Sequence, residues 1–103
     1  MNTLNITKNT DGQTLTVDIA GRIDTATSPT LDNEIKSSSD GITKIILNFE
    51  QVEYISSSGL RVLLSLHKTM SAKNGRLVIR KPTEMVAEVF DVTGFADILF
   101  IED

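Results

Sequence analysis

The feature that most constrains this chain is a change of hydrophobic period that recurs along it. Lys44-Ile45-Ile46-Leu47-Asn48-Phe49 is a short apolar run of the kind that forms a buried strand. After it, Leu60, Leu63, Leu64, His67 and Met70 recur at helical spacing and predict one apolar stripe on a long helix. Arg76-Leu77-Val78-Ile79 returns to a strand. Pro82 and Thr83 then introduce a helix with Val86, Val89 and Phe90 on one face, and Ile98-Leu99-Phe100-Ile101 is a last strand. Strands that alternate with helices pair in parallel through right-handed crossovers.

The N-terminal part departs from that rule. Leu4 and Ile6, then Leu15, Val17 and Ile19, alternate with polar residues at the period of a half-buried strand. Asn9-Thr10-Asp11-Gly12 between them is turn chemistry, and Gly21 is expected to close the second strand. Ser28 is the expected N-cap of a first helix, with Pro29 at its first position and Leu31 and Ile35 on its inner face. Ser37-Ser38-Ser39-Asp40-Gly41 ends that helix. Val52 and Ile55 are expected in the link after the third strand, and the long helix starts within Ser56-Ser57-Ser58 and stops at Asn74-Gly75. Thr93-Gly94 ends the last helix, with Phe95 packing back on it. The expected fold is α/β, a single domain over residues 1–103 in the order β-β-α-β-α-β-α-β. Its sheet is mixed, mostly parallel, of four to five strands.

Composition narrows the chemistry. The 103 residues contain no cysteine, which excludes thiolate metal sites, disulfides and cysteine nucleophiles. His67 is the single histidine, so the usual zinc sites lack a second imidazole. A net charge of -4 argues against direct nucleic-acid binding and against an anionic membrane surface. Met1 to Leu4 carries no basic start and no long apolar run follows, so the expected location is cytoplasmic. The six glycines are widely separated and form no phosphate-binding loop, so no cofactor is expected.

Three residues or groups stand out. Asp24 sits in a loop after a strand, where functional groups collect, although a solvated carboxylate is the plainer reading. His67 reads as a partly buried structural residue. It lies more than two turns along the helix from Ser57, beyond the reach a general base needs. Ser56-Ser57-Ser58-Gly59 reads plainly as serines available to cap a helix. The same hydroxyls also suit phosphorylation, because a helix start has unpaired N–H groups and a positive dipole end that accommodate a phosphate.

Tyr54-Ile55-Ser56-Ser57-Ser58-Gly59-Leu60-Arg61-Val62-Leu63-Leu64 resembles the signature of STAS domains, in particular the bacterial anti-sigma factor antagonists. Gly21-Arg22-Ile23-Asp24-Thr25-Ala26-Thr27 is similar to the family's loop after the second strand, and Phe90-Asp91-Val92-Thr93-Gly94-Phe95 to a block near its end. The resemblance implies an interaction protein rather than an enzyme. Unmodified, it would bind an anti-sigma factor that is also a serine kinase and so free the sigma factor. Phosphorylation at the start of the long helix would end that binding, and a PP2C-type serine phosphatase would reverse it. Nucleotide, magnesium and base would belong to the kinase.

The family pattern Asp-Ser-Ser-Gly has its acceptor two residues before the glycine, which is Ser57 here. Ser56 stands where aspartate is common, so Ser56 and Ser58 compete as acceptors. Arg22 stands where many members have glutamate. Many members also continue into a further C-terminal helix, whereas this sequence stops after its last predicted strand. Asp24, Thr25, Ser56, Ser57, Ser58, Gly59 and Arg61 form the expected partner-binding face, with Gly59 letting a partner backbone approach. The rival reading is a STAS subunit of another signalling or lipid-transport assembly.

Overall fold

Leu15, Val17 and Ile19 are buried while Asp18 between them is exposed, and this alternation lays down the inner face of the sheet. A computed structural model describes residues 4–102. It contains β1 (Asn5–Asp11), β2 (Thr14–Ile23), α1 (Ser28–Lys36), β3 (Lys44–Ile55), α2 (Ser57–Ala72), β4 (Arg76–Arg80), α3 (Glu84–Thr93), a 3₁₀ turn (Phe95–Asp97) and β5 (Phe100–Glu102). The five strands lie in the order β1-β2-β3-β4-β5. β1 pairs antiparallel with β2, and every later pair is parallel. Both features match the sequence expectation. The parallel part needs crossovers, and the three helices supply them.

One continuous core lies between sheet and helices. It joins Leu15, Val17 and Ile19 of β2 to Ile45, Leu47 and Phe49 of β3, Leu77 and Ile79 of β4, and the inner faces of all three helices. Phe49 meets Phe90 of α3 at 6.3 Å between ring centroids. Ile46 and Val78 are out of phase with these neighbours, lie outside the core cluster, and so belong to the other face of the sheet.

Several boundaries differ from the sequence reading. β1 runs on through Asn9, Thr10 and Asp11, and the hairpin turns on Gly12-Gln13 alone, with Gly12 at φ 61°. Cross-strand pairing extends a strand through residues that in isolation favour turns. Gly21 does not close β2. The strand continues to Ile23 through register shifts on either side of Ala20-Gly21, a bulged segment that Gly21 accommodates at φ 116°. Val52 and Ile55 are not in a link but in β3, paired with Gly21 and Ile23. Ser28 is the first helical residue rather than the cap. Thr27 occupies the cap position without a side-chain capping bond, because its hydroxyl is engaged in the preceding loop.

On α2 the inner stripe is Gly59, Leu60, Leu63, Leu66 and Met70, and Leu64 and His67 are only half-buried. The helix ends on Asn74 at φ 60°, with the Asn74 amide donating to Ser71 O and the Gly75 amide to Met70 O. The final apolar run is split. Ile98 and Leu99 follow the 3₁₀ turn outside the sheet, and only Phe100–Glu102 joins it, with Phe100 and Ile101 exposed. Thr93-Gly94 ends α3 as expected, with Gly94 left-handed and Phe95 packed partly against the core.

Candidate functional site

The site exists because two parallel strands end in register. Ile23 of β2 pairs with Ile55 of β3, and the ladder continues one step further through the Ser56 amide, which donates to Ile23 O at 2.8 Å. The loop beginning at Asp24 and the helix beginning at Ser57 therefore leave the sheet side by side. Thr25 Oγ1 and Ser58 Oγ close the gap between them at 3.5 Å.

The Asp24 loop uses its polar groups internally. The Asp24 carboxylate oxygen Oδ1 accepts from the amides of Ala26 and Thr27, each at 3.0 Å. Thr27 Oγ1 accepts from the Asp24 amide at 2.9 Å, and its single proton faces both Arg22 O at 2.8 Å and Asp24 Oδ1 at 3.1 Å. Ser28 Oγ donates to Asp24 O. The donated Thr27 amide, above all, holds the Asp24 carboxyl below its ordinary value of 3.8. Partial burial works against this, while the Thr27 hydroxyl, the Ala26 amide and the Arg22 charge reinforce it. Asp24 is thus the keystone of the loop, with its engaged oxygen held by the loop's own amides. The Arg22 guanidinium lies 4.3 Å from the centroid of the Tyr54 ring, its partner in register.

The α2 start uses its hydroxyls unequally. Ser56 is extended and caps the helix, with Oγ accepting from the Gly59 amide at 3.2 Å. Ser58 is half-buried and faces Thr25. Ser57 is exposed at the first helical position, and its hydroxyl makes no hydrogen bond among the described residues. No acidic residue lies in the first turn, so the positive end of the helix dipole is not offset from within the helix. Arg61, one turn further, is exposed.

Gly59 departs from its expected role. It is buried, and a Cβ there would stand 2.6 Å from Ile23 Cγ2 and 2.7 Å from Ile55 Cγ1. Its missing side chain lets α2 settle onto the ends of β2 and β3 and is not surface offered to a partner. Sequence reasoning also passed over Asp32. That residue borders a groove between α1 and α2 together with Thr25, Ser28, Ser58 and Arg61. One Asp32 oxygen forms an ion pair with Lys36 at 3.2 Å, while the other is buried with no hydrogen-bond partner among the described residues. In sequence Asp32 and Lys36 look like an ordinary i,i+4 pair, and nothing local signals that α2 packs beside them. His67 is not near Ser57. Its ring lies 6.2 Å from that of Phe100, with Nδ1 buried and without a hydrogen-bond partner among the described residues.

Among the described residues no three potential ligands gather into a metal site, and no helix is long and apolar enough to cross a membrane. What the geometry defines is a small α/β domain presenting one outward hydroxyl at a helix start beside a self-bonded loop. The chain belongs to the STAS domain family, whose profile matches residues 5–103.

Relatives that it matches include anti-sigma factor antagonists. It is 33% identical over 81 residues to a putative anti-sigma factor antagonist, BtrV, of Bordetella bronchiseptica, covering 78% of this chain and 70% of the relative. It is 27% identical over 101 residues to the anti-sigma-B factor antagonist of Staphylococcus aureus, covering 97% and 94%. The fold matches the Bacillus anti-sigma factor antagonist SpoIIAA. Against the unphosphorylated form the TM-score is 0.82 at 22% identity, over 94% of this chain and 87% of that one. Against the phosphorylated form it is 0.75 at 21% identity, over 94% and 90%.

Proposed function

We propose that this domain is the phosphorylation-switched component of a partner-switching system and that Ser57 is the acceptor. Unmodified, it binds an anti-sigma factor that is also a serine kinase, and the sigma factor is released. The kinase transfers the γ-phosphoryl group of ATP to Ser57. Oγ forms the new P–O bond, the bond to the β-phosphate oxygen breaks, ADP leaves, and the hydroxyl proton passes to a base of the kinase. The phosphate adds about -1.5 to -2 charge to a face that accommodated a neutral hydroxyl, and binding ends. A PP2C-type phosphatase restores the first state.

The observation that carries this reading is the inequality of the three serines. Ser56 is engaged in the cap, Ser58 is half-buried against Thr25, and Ser57 alone of the three is exposed. Ser56 in place of an acidic residue leaves the helix start without a negative charge, which favours accepting one. The existence of SpoIIAA in a phosphorylated form with the same fold supports a modification that leaves the fold intact. Asp24, Thr25 and Arg61 contribute to the face around Ser57, Asp24 by holding the loop's shape.

The test is to incubate the protein with its cognate kinase and ATP and map phosphate by mass spectrometry. Phosphate on Ser57, with loss of kinase binding, is expected. Phosphate confined to Ser56 or Ser58 overturns the assignment, and no phosphate at all overturns the switch.

A further inference from the structure

The charges of this chain are segregated. From Tyr54 to Thr83 the sequence contains Arg61, Lys68, Lys73, Arg76, Arg80 and Lys81 and no aspartate or glutamate, although the chain as a whole carries -4. Every acidic residue lies outside that stretch. Within it, several cations are already engaged. Arg80 pairs with Glu102 at 2.9 Å, Lys73 donates to Ser39 O at 3.2 Å, and the Arg76 guanidinium lies 4.5 Å from the Phe100 ring centroid.

Arg61 and Lys68 are different. Both are exposed on α2, and neither has an ion pair or side-chain hydrogen bond among the described residues. Seven residues apart, they share one face, roughly opposite the buried Leu63, Leu66 and Met70. Leu64, half-buried, lies between them, and Arg61, Leu64, Ser65, Lys68 and Thr69 line a shallow groove. Ser57 stands one turn before Arg61 on that same face.

We infer that this outer face of α2 docks an acidic protein segment, one carrying carboxylates about two helical turns apart with an apolar side chain between them to meet Leu64. Two unengaged cations on one helix face of a chain whose net charge is -4 suit a short run of carboxylates better than a nucleic acid, whose binding is built from many phosphate contacts. The inference rests on the partner-switching reading and extends it by naming the chemistry of the partner. It also explains why a phosphate would act there. At the head of the stripe, a turn from Arg61, the phosphate competes with the incoming carboxylates for the same guanidinium.

The test titrates the isotope-labelled full chain with a helical peptide of about fifteen residues, bearing glutamates at i, i+4 and i+7 around a leucine, and with its glutamine counterpart. Amide shifts should concentrate from Arg61 to Thr69. Affinity should fall about tenfold in Arg61→Glu/Lys68→Glu, in the glutamine peptide, and on raising salt to physiological strength. Ser57→Asp should weaken binding severalfold. Arg61→Gln/Lys68→Gln, which removes charge without reversing it, guards against a fold defect and should give a smaller loss in the same direction. Binding indifferent to both double variants overturns the inference. So does tighter binding of a single-stranded oligodeoxynucleotide at the same residues, or sedimentation showing that the face joins two copies of the chain. No kinase enters these titrations, so their failure leaves the Ser57 assignment standing, and phosphate on the wrong serine leaves the docking face standing.

Discussion

The starts of α1 and α2 lie side by side, are built from similar residues, and are used in opposite ways. At the first, Asp24, Thr27 and Ser28 direct their side-chain oxygens back into their own loop. At the second, Ser56 bonds the helix while Ser57 is left outward. Hydroxyls and carboxylates at helix starts are therefore not equivalent evidence of function. The ones that satisfy buried backbone groups are structure, because removing them leaves those groups unpaired. The ones that satisfy nothing internal are available for chemistry done by another protein.

The comparison can be broken at its joint. Gly59→Val should have the largest effect, about 2–3 kcal/mol of lost stability in urea unfolding, because even the first added carbon meets Ile23 and Ile55 at under 3 Å. A neutral or stabilising result would mean that the two starts are not locked together there.

Thr27→Val should follow at about 2 kcal/mol, since it strands the Asp24 amide and removes a donor to Arg22 O in a buried position. Ser56→Ala should cost about 1 kcal/mol through loss of the N-cap.

A pH titration sharpens the contrast further. The native Asp24 carboxyl is held below its ordinary value, so the native state binds fewer protons than the unfolded chain in that range. Its contribution is fully present above the unfolded value of about 4 and is lost as pH falls through the depressed native value. The stability difference between the parent and Asp24→Asn should accordingly narrow on acidification below about pH 4. A difference that widened would contradict the bonding described for this loop.

Ser57→Ala should have the smallest effect, within about 0.5 kcal/mol, while abolishing modification by the kinase. A large destabilisation would place Ser57 with Thr27 among the structural hydroxyls and remove the distinction.

Much of this was legible along the chain. The stripes Leu60-Leu63-Met70 and Val86-Phe90 and the runs at Ile45 and Leu77 name their own elements, because burial on one face imposes a period that a window of a few residues displays. The motif around Ser57 was legible as a resemblance, and so was the count from Gly59. What misled was chemistry that is locally ambiguous. Asn9-Thr10-Asp11 favours a turn until β2 pairs with it, Gly21 looks like a strand end until a bulge carries the strand past it, and Ser28 is a good cap until its hydroxyl is drawn to Asp24 O. Gly59 was read outward because a sequence does not show which atoms occupy the space that a missing side chain leaves.

The sequence by itself determined the order of elements, the parallel character of the later strands, the absence of thiol and paired-imidazole chemistry, and the short list of serines. Tertiary structure alone decided which serine is free, why Gly59 is glycine, and that Asp24 is bonded within its own loop. The reason is range. Periodicity and capping are interactions over a few residues, whereas the register of Ile23 with Ile55 joins positions far apart in the chain. That register is selected by packing the whole core at once, and it brings the two helix starts together.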